Sequence, residues 1–273
     1  GPRPRRHRPA PRGAGRPGVV RPGIVHVVGG GPGDPDLITV RGRRRLAEAD
    51  VVIADRLGPR DLLSELREDV LLIDVGKLPG NHPVPQDEIN ALLVEHARAG
   101  KNVVRLKGGD PYVFGRGGEE AEYCRRHGVP VQVVPGVSSA ISVPAAAGIP
   151  VTHRGVANGF TVVTGHEQIA ELPGGRDHTV VLLMGVSALA GSAAVLAAGV
   201  RGGDCPVAII ENGTGENQRV TVGILDTIVE QADAIGVRSP AVIVVGDVVA
   251  LSPHAPSAFA SSNSFASTGK APS

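Results

Sequence analysis

Short apolar runs with β preference alternate with helical stretches along most of this chain, and that alternation confines it to an α/β fold. Strands are predicted at Ile24–Val28, Val51–Ala54, Val70–Val75, Val103–Leu106 and Val131–Val134, with helices near Asp36–Ala49, Pro59–Arg67, Gln86–Ala99, Gly118–His127 and Ser138–Ala147. The clearest helix is Gln86–Ala99. Ile89, Leu92, Leu93 and His96 follow helical spacing, acids occupy its first turn, and Gly100 stops it. This half is expected to form a mostly parallel sheet covered by helices. The tract Ala145–Pro150 breaks the pattern, which places a domain boundary at residue 148. Beyond it, strands are predicted at Phe160–Val163, Val180–Met184, Val207–Glu211, Arg219–Gly223 and Ala241–Val245, and helices at Ser187–Ala198 and Ile224–Ala234. Several connections there are too short for crossover helices, so the second sheet is expected to be mixed. The result is two α/β domains, over 22–148 and 149–251.

A chain of 273 residues can bury one large core or two modest ones. Aromatic residues make up only 2% and Trp is absent, so the core must be Val, Leu, Ile and Ala. The same scarcity removes the stacking platforms that single-stranded nucleic acid needs. No apolar run is long enough to cross a bilayer, and no signal-peptide pattern is present. Neither nucleic acid nor a membrane is therefore an expected partner. Cys124 and Cys205 are isolated, which suits buried, reduced thiols in a cytoplasmic protein rather than a disulfide framework or a zinc site. The net charge of +1 is uneven. Residues 1–21 carry seven of the 28 Lys and Arg and no acid, leaving 21 basic against 27 acidic residues in the rest. That first segment reads as a disordered basic tail or linker, and 252–273, rich in Ser, Ala and Pro, as a second disordered tail.

Glycine-rich and polar segments concentrate after the first five strands: Gly29–Pro35, Asp55-Arg56, Gly76-Lys77, Gly108–Pro111 and Pro135–Ser139. Open α/β sheets bind ligands beyond the carboxyl ends of their strands, so five such segments on one edge describe a cleft. Each also has a plainer reading. Asp110, between two glycines and a proline, is either a ligand group or the cap of a strand-to-helix turn. Asp34-Pro35 fits a helix cap better than a ligand contact. Asp55 could be a partly buried base or half of a surface ion pair, and Lys77 a functional amine or a solvated loop lysine. Met184, the only methionine, is by default a core residue. No third ligand at metal-binding spacing accompanies His82 or His153.

The segments VGGGPGDPDLITVRG (Val28–Gly42), ADVVIADRL (Ala49–Leu57), VPQDEIN (Val84–Asn90), RLKGGDPYVFGRGGEEAE (Arg105–Glu122) and VPGVSSAISVPAAAGIPVTHRG (Val134–Gly155) resemble the tetrapyrrole methylase family. So do LMG (Leu183–Gly185) and ENGT (Glu211–Thr214), and the resemblance spans roughly Ile24 to Leu251. It implies a fold with the active site in the cleft between two domains. It also implies a homodimeric enzyme that transfers two methyl groups from S-adenosylmethionine (SAM) to uroporphyrinogen III. The products would be S-adenosylhomocysteine and precorrin-2, which leads to sirohaem and cobalamin. On matching positions, SAM contacts fall to Pro32, Gly108, Gly109, Asp110, Val113, Ser138, Ser139, Met184 and Gly213, and the base and acid to Asp55 and Lys77. No metal is implied. The substrate is a polycarboxylate, for which Arg56, Arg116 and Arg154, with His153 as a neutral donor, are the expected contacts, aided by the charge of Lys77. Two positions depart from the family pattern: Ala54 before the Asp-Arg pair and Leu78 after Lys77. On this reading, Asp110→Ala should abolish SAM binding, measured by calorimetry, with little loss of stability.

Overall fold

A computed structural model describes residues 22–55, 60–76, 84–165 and 169–262. In chain order, β1 (Val25–Gly29), α1 (Val40–Ala47), β2 (Val51–Ala54), β3 (Leu71–Asp74), α2 (Gln86–Arg98), β4 (Val103–Lys107), α3 (Gly117–Arg126), β5 (Val131–Val134) and α4 (Ser139–Ala146) make up the first half. The second comprises β6 (Gly159–Thr164), β7 (His178–Leu183), α5 (Leu189–Ala198), β8 (Pro206–Glu211), β9 (Arg219–Ile224), α6 (Ile228–Ile235), β10 (Ala241–Val245) and α7 (Ser257–Ser262).

The first sheet is all parallel, in the order β3-β2-β4-β1-β5. Its three central strands are buried on both faces, which is why their sequences run apolar instead of alternating. Val25, Val27, Val51, Ile53 and Val103 pack under Leu93, Val94 and Ala97 of α2 and Cys124 of α3. Val28, Val52, Val104 and Leu106 pack on the opposite face against Leu46, Ala49 and Leu62. Ala54 is buried in that second cluster. The second sheet is mixed, β6-β7-β10-β8-β9, with only β6 and β7 parallel.

Five details differ from the sequence expectation. The first helix is broken, because Asp34 caps a short 3-10 turn at Pro35–Leu37, Ile38 is extended, and Thr39 caps α1 anew through Gly42 N. The segment at Pro59–Arg67 forms a 3-10 turn over Arg60–Glu65. In α2 the buried stripe is Ile89, Asn90, Leu93, Val94 and Ala97, with Leu92 and His96 at its margin. Finally, α4 follows the first sheet in sequence but packs on the second, where Ala140 and Val143 join Val181, Ile210, Val242 and Val244. The chain therefore changes core before α4, ahead of the tract at Ala145–Pro150. Ordered structure also continues past Leu251: Ser252 is buried, its Oγ donates to Ala147 O at 2.7 Å, and α7 follows.

Both cysteines are buried and free, and burial pushes their thiols up to about 11 (Cys124) and about 12 (Cys205).

The loops after β1, β4 and β5 meet in a contact that admits no side chains. A Cβ on Gly136 would lie 2.2 Å from Gly109 O and 2.7 Å from Gly29 Cα. Gly136→Ala is expected to destabilise the fold by about 1–3 kcal/mol or more through overpacking, read as a lower urea midpoint at unchanged slope.

Candidate active site

The three-glycine contact brings the strand ends together. Gly30 N donates to Lys107 O at 2.7 Å, and Gly109 N to Gly31 O at 2.7 Å. Asp110 braces the same junction. Its Oδ1 accepts from Tyr112 N at 2.8 Å within its own turn, and its Oδ2 from Gly136 N at 3.1 Å on the β5 loop. Asp110 is thus a cross-loop brace, and each oxygen keeps a second lone pair for a ligand.

These loops wall one side of a cavity of about 470 Å³, within the usual range for small-molecule sites. Pro32, Gly108, Gly109, Asp110, Val113, Ser138 and Ser139 line it from the first half, and Met184 and Gly213 from the second. The lining suits a nucleoside-bearing methyl donor: backbone laid open at glycines, a carboxylate, hydroxyls at the start of α4, and apolar Val113, Val143, Leu183 and Ile210. Gly109, at φ +62, supplies the open backbone. Gly213 packs directly on α4, since a Cβ there would lie 2.3 Å from Val143 Cγ1.

The backbone is strained at this site. Among the described residues, five non-glycine positions have positive φ: Phe114, Arg116, Met184, Asn212 and Thr214. The first four line the cavity, and the hydroxyl of Thr214, next in sequence to cavity-lining Gly213, accepts from Asp34 N. Such conformations cost about 1–3 kcal/mol each and persist where surrounding structure imposes them. Met184 is 51% exposed, so the lone methionine faces the cleft instead of filling a core.

Behind the glycine loops lies a charge cluster that sequence reasoning missed. Arg105 and Lys107 share one face of β4 and are 2% and 5% exposed; Glu120 of α3 is 0% exposed. Glu120 Oε1 accepts from Arg105 Nε at 2.9 Å, Lys107 Nζ at 3.2 Å and Gln86 Nε2 at 3.2 Å. Asp55 completes the group, its Oδ2 lying 3.1 Å from Arg105 Nη2 and 4.0 Å from Lys107 Nζ. Arg105 Nη1 also donates to Ile53 O and Leu106 O. Burial, reinforced by the Arg105 charge, holds Lys107 below the ordinary lysine value, while Glu120 and Asp55 oppose that shift. Asp55, Gln86, Arg105 and Lys107 all border the cavity. A cation at two alternate positions of a strand buried on both faces was the available signal.

The other expected residues divide. Arg116 borders the cavity, but its guanidinium pairs with Glu119 through Nε at 3.0 Å and Nη2 at 2.7 Å, so a substrate carboxylate must compete for it. His153 and Arg154 are exposed on the connection to the second sheet and stand outside the cavity lining. Arg56, Lys77, Leu78 and His82 lie outside the described residues. No group of three or more potential metal ligands occurs among the described residues.

A family model for tetrapyrrole (corrin/porphyrin) methylases matches residues 25–229. A uroporphyrinogen-III C-methyltransferase of Methanocaldococcus jannaschii is 51% identical over 234 residues, covering 83% of this chain and 97% of that protein. An S-adenosyl-L-methionine-dependent uroporphyrinogen III methyltransferase of Methanosarcina barkeri is 48% identical over 237 residues, covering 84% and 93%. Among solved structures, uroporphyrin-III C-methyltransferase of Thermus thermophilus complexed with S-adenosylhomocysteine aligns with a TM-score of 0.69 at 41% identity, covering 83% of this chain and 93% of that one.

Two outcomes follow from the geometry. Asp110→Ala should lose SAM affinity and also about 1–3 kcal/mol of stability, since Gly136 N–H is left without its acceptor; calorimetry and urea unfolding read the two separately. Glu120→Ala leaves Arg105 and Lys107 buried with one carboxylate between them and should cost about 3–5 kcal/mol in the same unfolding measurement.

Proposed function

The chain belongs to the tetrapyrrole methylase family, and on that premise we propose that it is a SAM-dependent C-methyltransferase that methylates uroporphyrinogen III twice to give precorrin-2, a precursor of sirohaem and cobalamin. The observation that carries this reading is a carboxylate, Asp55, held by a buried cation pair at the edge of the cavity that the glycine loops also line.

SAM supplies the sulfonium-activated methyl group. The protein holds that group and the substrate ring in line and then manages the ring's surplus proton. Gly108, Gly109 and Asp110, with Ser138 and Ser139 opposite, are assigned to the donor, with Pro32, Val113, Met184 and Gly213 shaping its pocket. The positive φ of Met184 turns its side chain out into the cleft, where it can pack against the adenine. Asp55 is the base. Arg105 fixes its orientation through Nη2. Lys77 is assigned as the acid by family match alone, and Arg56 and Arg116 as contacts for the carboxylates of the substrate. His153 and Arg154, outside the cavity, would meet the substrate only at its periphery. The family resemblance also points to a homodimer. None of the described helices is long and apolar enough to cross a membrane.

Incubation with SAM and uroporphyrinogen III should produce precorrin-2 absorbance, and folded protein without turnover would sink the proposal. Asp55→Ala should leave the calorimetric Kd for SAM within about twofold while slowing turnover by about 10²–10⁴-fold. Equal loss of both would contradict its role as base.

A further inference from the structure

We propose that Gln86 takes part in the methyl transfer. Its side-chain carbonyl accepts a hydrogen bond from the pyrrole N–H of the ring under attack and stabilises the positive charge that ring acquires as the methyl group arrives. The inference rests on the reading of the cavity as a site for SAM and a tetrapyrrole.

The orientation of the carboxamide is fixed from behind. Gln86 opens α2, directly after Pro85, and borders the cavity. Its Nε2 donates to Glu120 Oε1 at 3.2 Å and to Asn90 Oδ1 at 3.1 Å. Glu120 Oε1 also accepts from Arg105 Nε and Lys107 Nζ, so it acts as an acceptor and the nitrogen end of Gln86 must face it. A carboxamide nitrogen carries two hydrogens, and these two acceptors match them. Glu120 is 0% and Asn90 6% exposed, and neither lines the cavity. With the nitrogen drawn inward, Oε1 is the polar end of Gln86 on the cavity side, and among the described residues no group donates to it.

A carbonyl oxygen accepts and cannot donate, which selects its partner. The carboxylates of a uroporphyrinogen are acceptors too, whereas each of its pyrrole rings offers an N–H. The donor groups of SAM are assigned elsewhere. The glycine and serine loops that would hold it follow β1, β4 and β5, while Asp55 follows β2 and Gln86 begins the helix entered after β3. In the sheet, β3 and β2 lie together on one side, and β4, β1 and β5 on the other. Gln86 thus stands with Asp55, on the side assigned to the ring and its proton.

The chemistry suits an uncharged acceptor. A π electron pair of the pyrrole forms the new bond to the methyl carbon, and the C–S pair returns to sulfur. The ring is left with one positive charge, shared with its nitrogen, until one ring proton passes to Asp55. Through that interval the N–H is a stronger donor than in the neutral substrate, so a fixed acceptor favours the transition state over the ground state. An amide oxygen takes up no proton at neutral pH and does not compete with Asp55.

The discriminating pair of variants is Gln86→Met and Gln86→Glu, each measured for turnover and for urea unfolding. Gln86→Met keeps the length of the side chain and loses both amide groups. Gln86→Glu keeps an acceptor oxygen but sets a second carboxylate beside Glu120. The proposal predicts that Gln86→Met lowers kcat by about 10–100-fold, with KM for uroporphyrinogen III and the calorimetric Kd for SAM within about twofold. It also predicts that Gln86→Glu is the less stable of the two and yet the faster. A purely structural role ranks the two rates as it ranks the two stabilities, and that order would overturn the proposal. So would a Gln86→Met kcat within about twofold of wild type, or a loss carried by KM or by the SAM Kd instead. If either variant does not fold, wild-type protein bound to S-adenosylhomocysteine decides. Adding uroporphyrinogen III without oxygen should move the NMR resonance of the Gln86 side-chain carbonyl carbon downfield, and an unmoved resonance refutes the contact. Absence of any methylation by the wild-type enzyme refutes the function itself, whereas wild-type turnover with an undiminished Gln86→Met kcat refutes the role of Gln86 alone.

Discussion

The buried pairing of Arg105 with Glu120 is the interaction around which the first half of the molecule is arranged. Taking two charges out of water costs several kcal/mol each, and a hydrophobic pair of equal volume would stabilise a sheet as well or better. Hydrogen bonds to one carboxylate oxygen offset part of that cost, while Glu120 Oε2 is buried without a hydrogen-bond partner. Glu120 gathers donors from two strand positions and from α2, and Arg105 spends its remaining hydrogens on Asp55 and on carbonyls of β2 and β4. One carboxylate on α3 thereby ties both helices of that face to the centre of the sheet. It also sets the position of the residue assigned as base.

The second constraint is steric. Gly29, Gly109 and Gly136 come close enough that the loops after three adjacent strands behave as one unit, clamped by the carboxylate of Asp110. Opposite them, the loops of the second sheet supply strained backbone at Met184, Asn212 and Thr214. The two walls are joined by α4, whose apolar face belongs to the second core while its first turn opens on the cavity. Rigid glycine loops on one side and imposed conformations on the other give a pre-organised site. A methyl transfer between two bound molecules can gain about 7–11 kcal/mol from such alignment.

Much of this was legible in the primary structure. Strand positions were readable because strands buried on both faces run continuously apolar, and β2 and β10 fall where the runs predict. Asp34 was readable as a cap because Asp-Pro fits that role. The cleft was legible from the polar and glycine-rich segments at strand ends, a consequence of parallel topology. The break at Ile38–Thr39 was not legible, since both sides of it are compatible with one helix. Nor was the membership of α4, because an Ala-rich helix with apolar residues on most faces does not declare which core it joins.

Sequence by itself determined the fold class and the edge of the sheet at which the polar and glycine-rich loops gather, because glycine, proline and strand periodicity act over a few residues. Tertiary structure alone decided that Arg105, Lys107, Glu120 and Asp55 form one buried cluster. It also turned Asp110 into a brace between loops, paired Arg116 with Glu119, and left His153 and Arg154 outside the cavity lining. Those facts depend on which strands lie side by side, and the pairing of β4 with β2 brings residues 50 positions apart within hydrogen-bonding distance.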